Sequence, residues 1–237
     1  MRRPPCRTIA AQAATVPERQ ALFRQRREPG RRGAVQLVIV ILAPLIPAVL
    51  AIASLRRFGP TEALVVLAGL LVSTSFVYFG HRFPMHRPWR GLEIVYEMHT
   101  RCHHMLFDER HTRIASIDDV DMVLLPWRLA VALSAVLVPL LAAPWLWWLG
   151  WDAALAFAAE AWLYYLAYEL VHLAAHGRVG GPLDRVPGLG WLLRHHRRHH
   201  AWPLMHHGNF SMLIPLWDLV LHTRLAPRRR AGSPRDR

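Results

Sequence analysis

Eleven of the fifteen histidines in this 237-residue chain fall in four short motifs, and the type and spacing of ten of them suit metal chemistry. "HRFPMH" sets His81 and His86 five apart, and "HTRCHH" supplies His99, His103 and His104. "HLAAH" gives His172 and His176, and "HHRRHH" gives His196, His199 and His200, with His195 an alternative partner for His199. Residues i and i+4 share a face of an α-helix, so most of these spacings present two rings side by side. His81 and His86 would diverge by about 140° on an ideal helix. Pro84 between them is expected to break that turn and let both rings point inward.

One such pair is weak evidence, because an HxxxH pair is often an incidental surface feature. Four pairs, two of them at the ends of apolar runs, are harder to dismiss. Ten imidazoles exceed what one tetrahedral or six-coordinate ion can use, so they suit two metals. A solvated cationic patch on anionic headgroups would explain "RHHRRHH", but not the repeated helical spacing. His111, His195, His206, His207 and His222 are left with surface or supporting roles.

The elements that must carry these motifs are long apolar runs. Residues 34–55, 63–80 and 129–150 contain no charge, against the roughly 20 residues a helix needs to cross a hydrocarbon core. A fourth run, 153–168, is shorter and contains Glu160. The preceding "WLWWLGW" suggests a tight turn at an aromatic belt, which makes 153–168 a fourth span. The expected fold is all-α: a membrane bundle of about four transmembrane helices under a cytoplasmic, His-rich helical cap.

The net charge of +13 comes from arginine alone, since lysine is absent. Twenty-seven arginines lie before the first run, between the second and third, or after the fourth, whereas only Arg56 and Arg57 lie between the first two. The positive-inside rule then places both termini and the metal site in the cytoplasm of a multi-pass membrane protein. Cys6 and Cys102 would face a reducing compartment, so no structural disulfide is expected. Residues 1–33 and 226–237 are Arg/Pro-rich and are expected to be disordered tails flanking a 34–225 membrane domain. Their charge suits anionic lipids. No folded reader with stacking aromatics accompanies them, so nucleic acid is not an expected partner.

These four motifs, with the following "NFSMLIPLWDLVLHT", resemble the integral-membrane fatty acid hydroxylase and sterol desaturase superfamily over about residues 60–225. The resemblance implies two iron ions held by the ten motif histidines, O2 as co-substrate, and oxygenation of a lipid C–H bond. The chain departs from the fatty acid 2-hydroxylase pattern in having three residues between His99 and His103, and in His222 before Thr223. The lipid subclass therefore stays open: a fatty acyl chain, a sterol or a carotenoid.

Imidazole serves zinc as readily as iron, so zinc could occupy the sites in a purified sample. Ligating rings are usually oriented by a hydrogen bond from their second nitrogen. Glu169, Asp184, Asn209, Asp218, His195 and His207 are the candidates for that supporting role. Glu160 is singled out because a carboxylate within a span usually faces the bundle. Tyr164, Tyr165, Tyr168, Phe76 and Phe79 could line a path for substrate from the bilayer. No haem or flavin domain is expected in the leading 33 residues, so electrons would come from a separate ferredoxin, cytochrome or reductase docking on the arginine-rich face. Desaturation or demethylation on the same scaffold is one alternative. A non-catalytic metal-binding or transport protein is another, disfavoured because the histidines avoid the spans.

Overall fold

The computed structural model describes residues 6–27, 32–202 and 204–226, whose regular elements are all helices, with no strand among them. Three helical stretches are long and apolar enough to cross a membrane: Gly33–Ser54, Pro60–Met85 and Trp127–Leu149. The first is α3 (Gly33–Ser54); the second comprises α4 (Pro60–Gly80) and a π turn, His81–Met85. The third comprises α7 (Trp127–Ala132), a π turn at Leu133–Leu137, and α8 (Val138–Leu149). Their outer faces carry exposed Val38, Ile46, Leu64, Leu67, Val136 and Leu140. An apolar exterior of this kind suits lipid rather than water.

α9 (Trp151–Ala175) differs from the other three. It has 25 residues, about 37 Å of helix, yet it is not among the spans that composition selects. It is the central helix, packed against α3, α4 and α8. Alanines at 153, 154, 156, 158, 159 and 161 are all buried, along with Phe157. Small side chains let the neighbouring backbones approach closely. Because the other helices enclose it, α9 can carry the buried Glu160, whose Oε2 accepts a hydrogen bond from Ser73 of α4 at 3.1 Å.

α8 and α9 are joined at Gly150, whose φ of +91° is a conformation that side chains other than glycine rarely adopt. Trp147, Trp148 and Trp151 stand exposed around this turn. At the same end the Arg56 backbone N–H donates to Asp152 at 2.9 Å. α4 and α9 both run from this end to the opposite one, where the histidines lie.

That opposite end is capped by α5 (Glu93–Met98), a π turn at His99–His103, α6 (His104–Leu106), α10 (Leu189–His199) and α11 (Leu216–Val220). Two expectations fail here. Residues 6–27, read as part of a disordered tail, fold into α1 (Cys6–Gln12) and α2 (Val16–Gln25). Ile9 and Phe23 are buried in a cluster with Leu106, Phe107 and Val120, each such side chain contributing about 1.5–3 kcal/mol. Arg24 and Arg27 pair with the wholly buried Asp119 at 2.9 and 2.8 Å. Burial pushes the Asp119 carboxyl up, but hydrogen bonds from Arg24 and Arg27 outweigh it and hold the group at about 2. Composition alone hid these long-range partners.

The second failure concerns the cysteines. Docking of α1 against the His99–His103 turn brings the Cα atoms of Cys6 and Cys102 to 5.3 Å, and the two are joined in a disulfide. That separation lies within the usual bridging range. The 226–237 tail, apart from Ala226, and residues 28–31 lie outside the described residues.

Candidate metal centre

All ten motif histidines are buried, and they divide into two groups of five. His81, His86, His99, His104 and His199 form one group, and His103, His172, His176, His196 and His200 form the other. Within each group one nitrogen from every ring lies within 4.8 Å of all the others. The chain thus carries two buried sets of donors, each able to hold a metal ion.

The π turns explain how the first group assembles. A π turn bonds i to i+5 and so places residues five apart over one another. His81 and His86 flank one such turn, and His99 and His104 the other. Pro84 does not break the helix, as the sequence reading expects; the helix widens around it. His99 and His103, expected to share a face, are divided between the groups. His172/His176 and His196/His200 keep their α-helical i, i+4 spacing and pair as expected within the second group.

Two dipeptides tie the groups together. In His103-His104 and again in His199-His200, the two adjacent rings belong to different groups. Consecutive side chains on a helix point about 100° apart, so each pair straddles the seam. The His104 and His200 ring centroids are 4.4 Å apart across it.

Which nitrogen carries hydrogen follows from the partners. His81 and His199 place Nδ1 at 2.7 and 2.9 Å from the carbonyls of Phe210 and Gly208. His103 and His176 place theirs at 2.9 and 2.8 Å from the carbonyls of Met122 and Thr112. A carbonyl only accepts, so each of these Nδ1 atoms donates and each Nε2 is left with a free lone pair. Three of those Nε2 atoms face the Nε2 atoms of other rings in the groups: His81 to His99 at 2.9 Å, His199 to His86 at 3.0 Å, and His103 to His200 at 3.1 Å and to His172 at 3.2 Å.

Each such contact is an N–H···N hydrogen bond when one ring carries its hydrogen there, and when both nitrogens hold lone pairs a cation between them relieves the repulsion. Two nitrogens roughly 2.1 Å from one ion and at right angles to each other are roughly 3.0 Å apart, so the donor spacing fits a metal. Protonation is disfavoured for the same reasons. Burial, reinforced by neighbouring imidazoles, pushes His99, His104, His196, His199 and His200 well below the usual histidine range. His103 is held at about 4, chiefly by burial.

The supporting residues sort differently from the sequence reading. His195 is buried with its Nε2 3.2 Å from Asp218. Asp218 also accepts from the backbone N–H groups of Phe210 and Ser211 and from the Thr223 hydroxyl. It thereby fixes the strand of backbone whose Phe210 carbonyl orients His81. Burial pushes the Asp218 carboxyl up, but hydrogen bonds from His195 and Thr223 bring it below its ordinary value. Asn209, at φ +59°, donates from its side chain to the His195 carbonyl.

Asp184 meets Arg197 rather than a ring, and Arg197 in turn donates to the Ala175 carbonyl beside His176. Neither oxygen of the buried Glu169 reaches a histidine. His207 is exposed. Its neighbour His206 is the one that approaches the site, with Nδ1 3.2 Å from Nδ1 of His86. The orienting carbonyls were beyond sequence reasoning, since every residue has one. Tyr164 meets the Thr74 hydroxyl within the bundle at 3.2 Å, and Phe76 is exposed.

No family model, curated protein or solved structure matches the chain.

Proposed function

We propose that this chain is a membrane-embedded oxygenase whose two histidine groups hold a pair of iron ions and which oxidises a C–H bond of a lipid, most readily a fatty acyl chain. The observation that carries this reading is the convergence of ten buried, unprotonated imidazoles into two adjoining five-donor sets. When bound there, a redox-active metal pair supplies O2 activation, which side chains alone cannot provide. Five donors per ion, all neutral, leave a coordination position for an exchangeable ligand on a six-coordinate metal.

The protein's own part is positional. Carbonyls of Phe210, Gly208, Met122 and Thr112 lock four rings in the tautomer that aims Nε2 inward. Burial excludes bulk water and keeps the rings neutral. α9 acts as the fourth span, completing a bundle whose lipid contact falls to α3, α4 and α8. The arginine asymmetry supports a cytoplasmic placement of the metal end. There the Cys6–Cys102 bridge would face a reducing compartment, with both of its cysteines buried.

Electrons would arrive from a separate acidic donor protein. Arg194 and Arg198 of α10 lie on the same helix as the ring donors His196 and His199, and burial together with the charges of Arg194 and Arg224 lowers the Arg198 pKa. Such a crowd of cations favours an anionic partner.

The deciding experiment is metal analysis of the purified chain combined with lipid analysis of cells with and without it. About two ions per chain, and a lipid gaining one oxygen only when the chain is present, are expected. A loss of two hydrogens would make it a desaturase. Two ions with no change in any lipid would favour a metal-binding protein.

A further inference from the structure

The C-terminal end of the cap carries an apolar surface that neither histidine group explains. From Phe210 to Leu221 there is one charge, Asp218, and it is wholly buried. The outward residues of this stretch are aliphatic: Ile214, Leu216, Leu219, Val220 and Leu221 are all exposed. Such a row, with no outward charge among it, does not suit a surface in water.

The contact of α11 with α4 fixes its depth. The Trp217 indole N–H donates to the Ser75 hydroxyl at 2.9 Å, and the indole ring lies 5.2 Å from that of Phe79. Ser75 in turn donates to the Leu71 carbonyl at 2.6 Å. Each polar group in this contact therefore has a partner, as an apolar surrounding demands. Ser75 lies five residues inside the end of the uncharged run 63–80, about 7.5 Å of helix rise. Around it on α4, Leu71, Val72 and Phe76 are exposed, and they belong to a stretch apolar and long enough to cross a membrane. The exposed row of α11 continues that face. Pro215, at the head of α11, has no N–H that would need a partner there.

We propose that residues 214–221 are a membrane-dipping element, seated among the acyl chains of the leaflet on the metal side, with Arg82 and Arg224 at its headgroup border. Its partner is the bilayer itself, and the inference does not depend on what the chain oxidises. An in-plane apolar element that sinks by about 5–10 Å needs no spanning length, so a run this short can still lie in the membrane. The opposite face of the same element serves the metal end. Asp218 accepts from the backbone N–H groups of Phe210 and Ser211 and from the Thr223 hydroxyl, and the Phe210 carbonyl orients His81. Tyr78 of α4 closes the link, with its hydroxyl 2.9 Å from that of Thr223. Lipid that seats Leu219 and Val220 therefore also steadies a donor of the first histidine group.

The test places an environment-sensitive fluorophore on the full chain through Leu219→Cys or Val220→Cys, in vesicles of phosphatidylcholine and phosphatidylglycerol. Cys6 and Cys102 are bridged to each other and, without reductant, leave only the new thiol to react. Leu71→Cys on α4 and Arg110→Cys at an exposed point of the cap are the references. Nitroxide groups on the lipid acyl chains should quench the labels at 219 and 220 as strongly as the label at 71, and aqueous iodide should quench only the one at 110. Strong iodide quenching at 219 and 220 would overturn the proposal by showing a surface in water. Shielding from both quenchers would also overturn it, by making the face a contact between two copies of the chain. For the link to His81, Leu219→Gln combined with Val220→Gln should speed a chelator's removal of the first-group ion about tenfold. The rate for the other ion should not change, which shows that the variant is folded. Rates equal to those of the parent, or faster loss of both ions alike, would overturn that link.

Discussion

The two histidine groups have the same number of donors but are closed differently. Each has two rings oriented by backbone carbonyls, His81 and His199 in the first and His103 and His176 in the second, but the second also has His172 on the long α9 and His176 at its C-terminal end. The first depends on two π turns, and its His86 meets the exposed His206 through Nδ1 rather than a carbonyl. A site framed largely by regular helix holds its geometry without help. A site framed by widened turns and a surface ring is easier to deform, and its metal should exchange faster.

The largest effect expected is from removing a donor. His172→Ala should empty the second group and His199→Ala the first, each lowering metal content from about two ions to about one and abolishing lipid oxidation. If either variant kept both ions, the division of donors would be wrong. Stripping both ions with a chelator should lower the melting temperature by on the order of 10 °C. The ion of the first group should leave first, and loss in the reverse order would invert the comparison.

Acid should act next. His103 folds with a pKa of about 4 against an ordinary 6.5. Its stabilising contribution is therefore complete above about pH 6.5 and is lost as pH falls towards 4. The metal-free chain should lose melting temperature across that window, and a flat profile would contradict the buried, neutral rings. His206→Ala should weaken metal affinity in the first group alone, by about 10–100-fold, as loss of an orienting partner does. The smallest effect belongs to His222→Asn, which keeps the φ of +52° that asparagine tolerates. Metal content and activity should stay as they are.

The ten grouped histidines were legible because helical spacing recurs in the sequence and because they follow apolar runs. How they divide was not. The split of His99 from His103 depends on a π turn, which no residue type announces, and Pro84 pointed to a break instead. α1 and α2 were illegible for another reason: in an arginine-rich stretch, Ile9 and Phe23 reveal a core only once Leu106 and Phe107 are in place. The disulfide was missed because compartment was argued from charge, whereas proximity comes from the docking of α1. Asp218 was legible as a supporting residue; the Phe210 carbonyl through which it acts on His81 was not.

The paired rings of His103-His104 and His199-His200 have one more consequence. Each dipeptide is a short rigid lever, so capture of an ion by one ring fixes the backbone that aims its neighbour at the other ion. Loading should therefore be coupled: a chain that has lost the ion of its first group should hold the remaining ion more weakly than the fully loaded chain does.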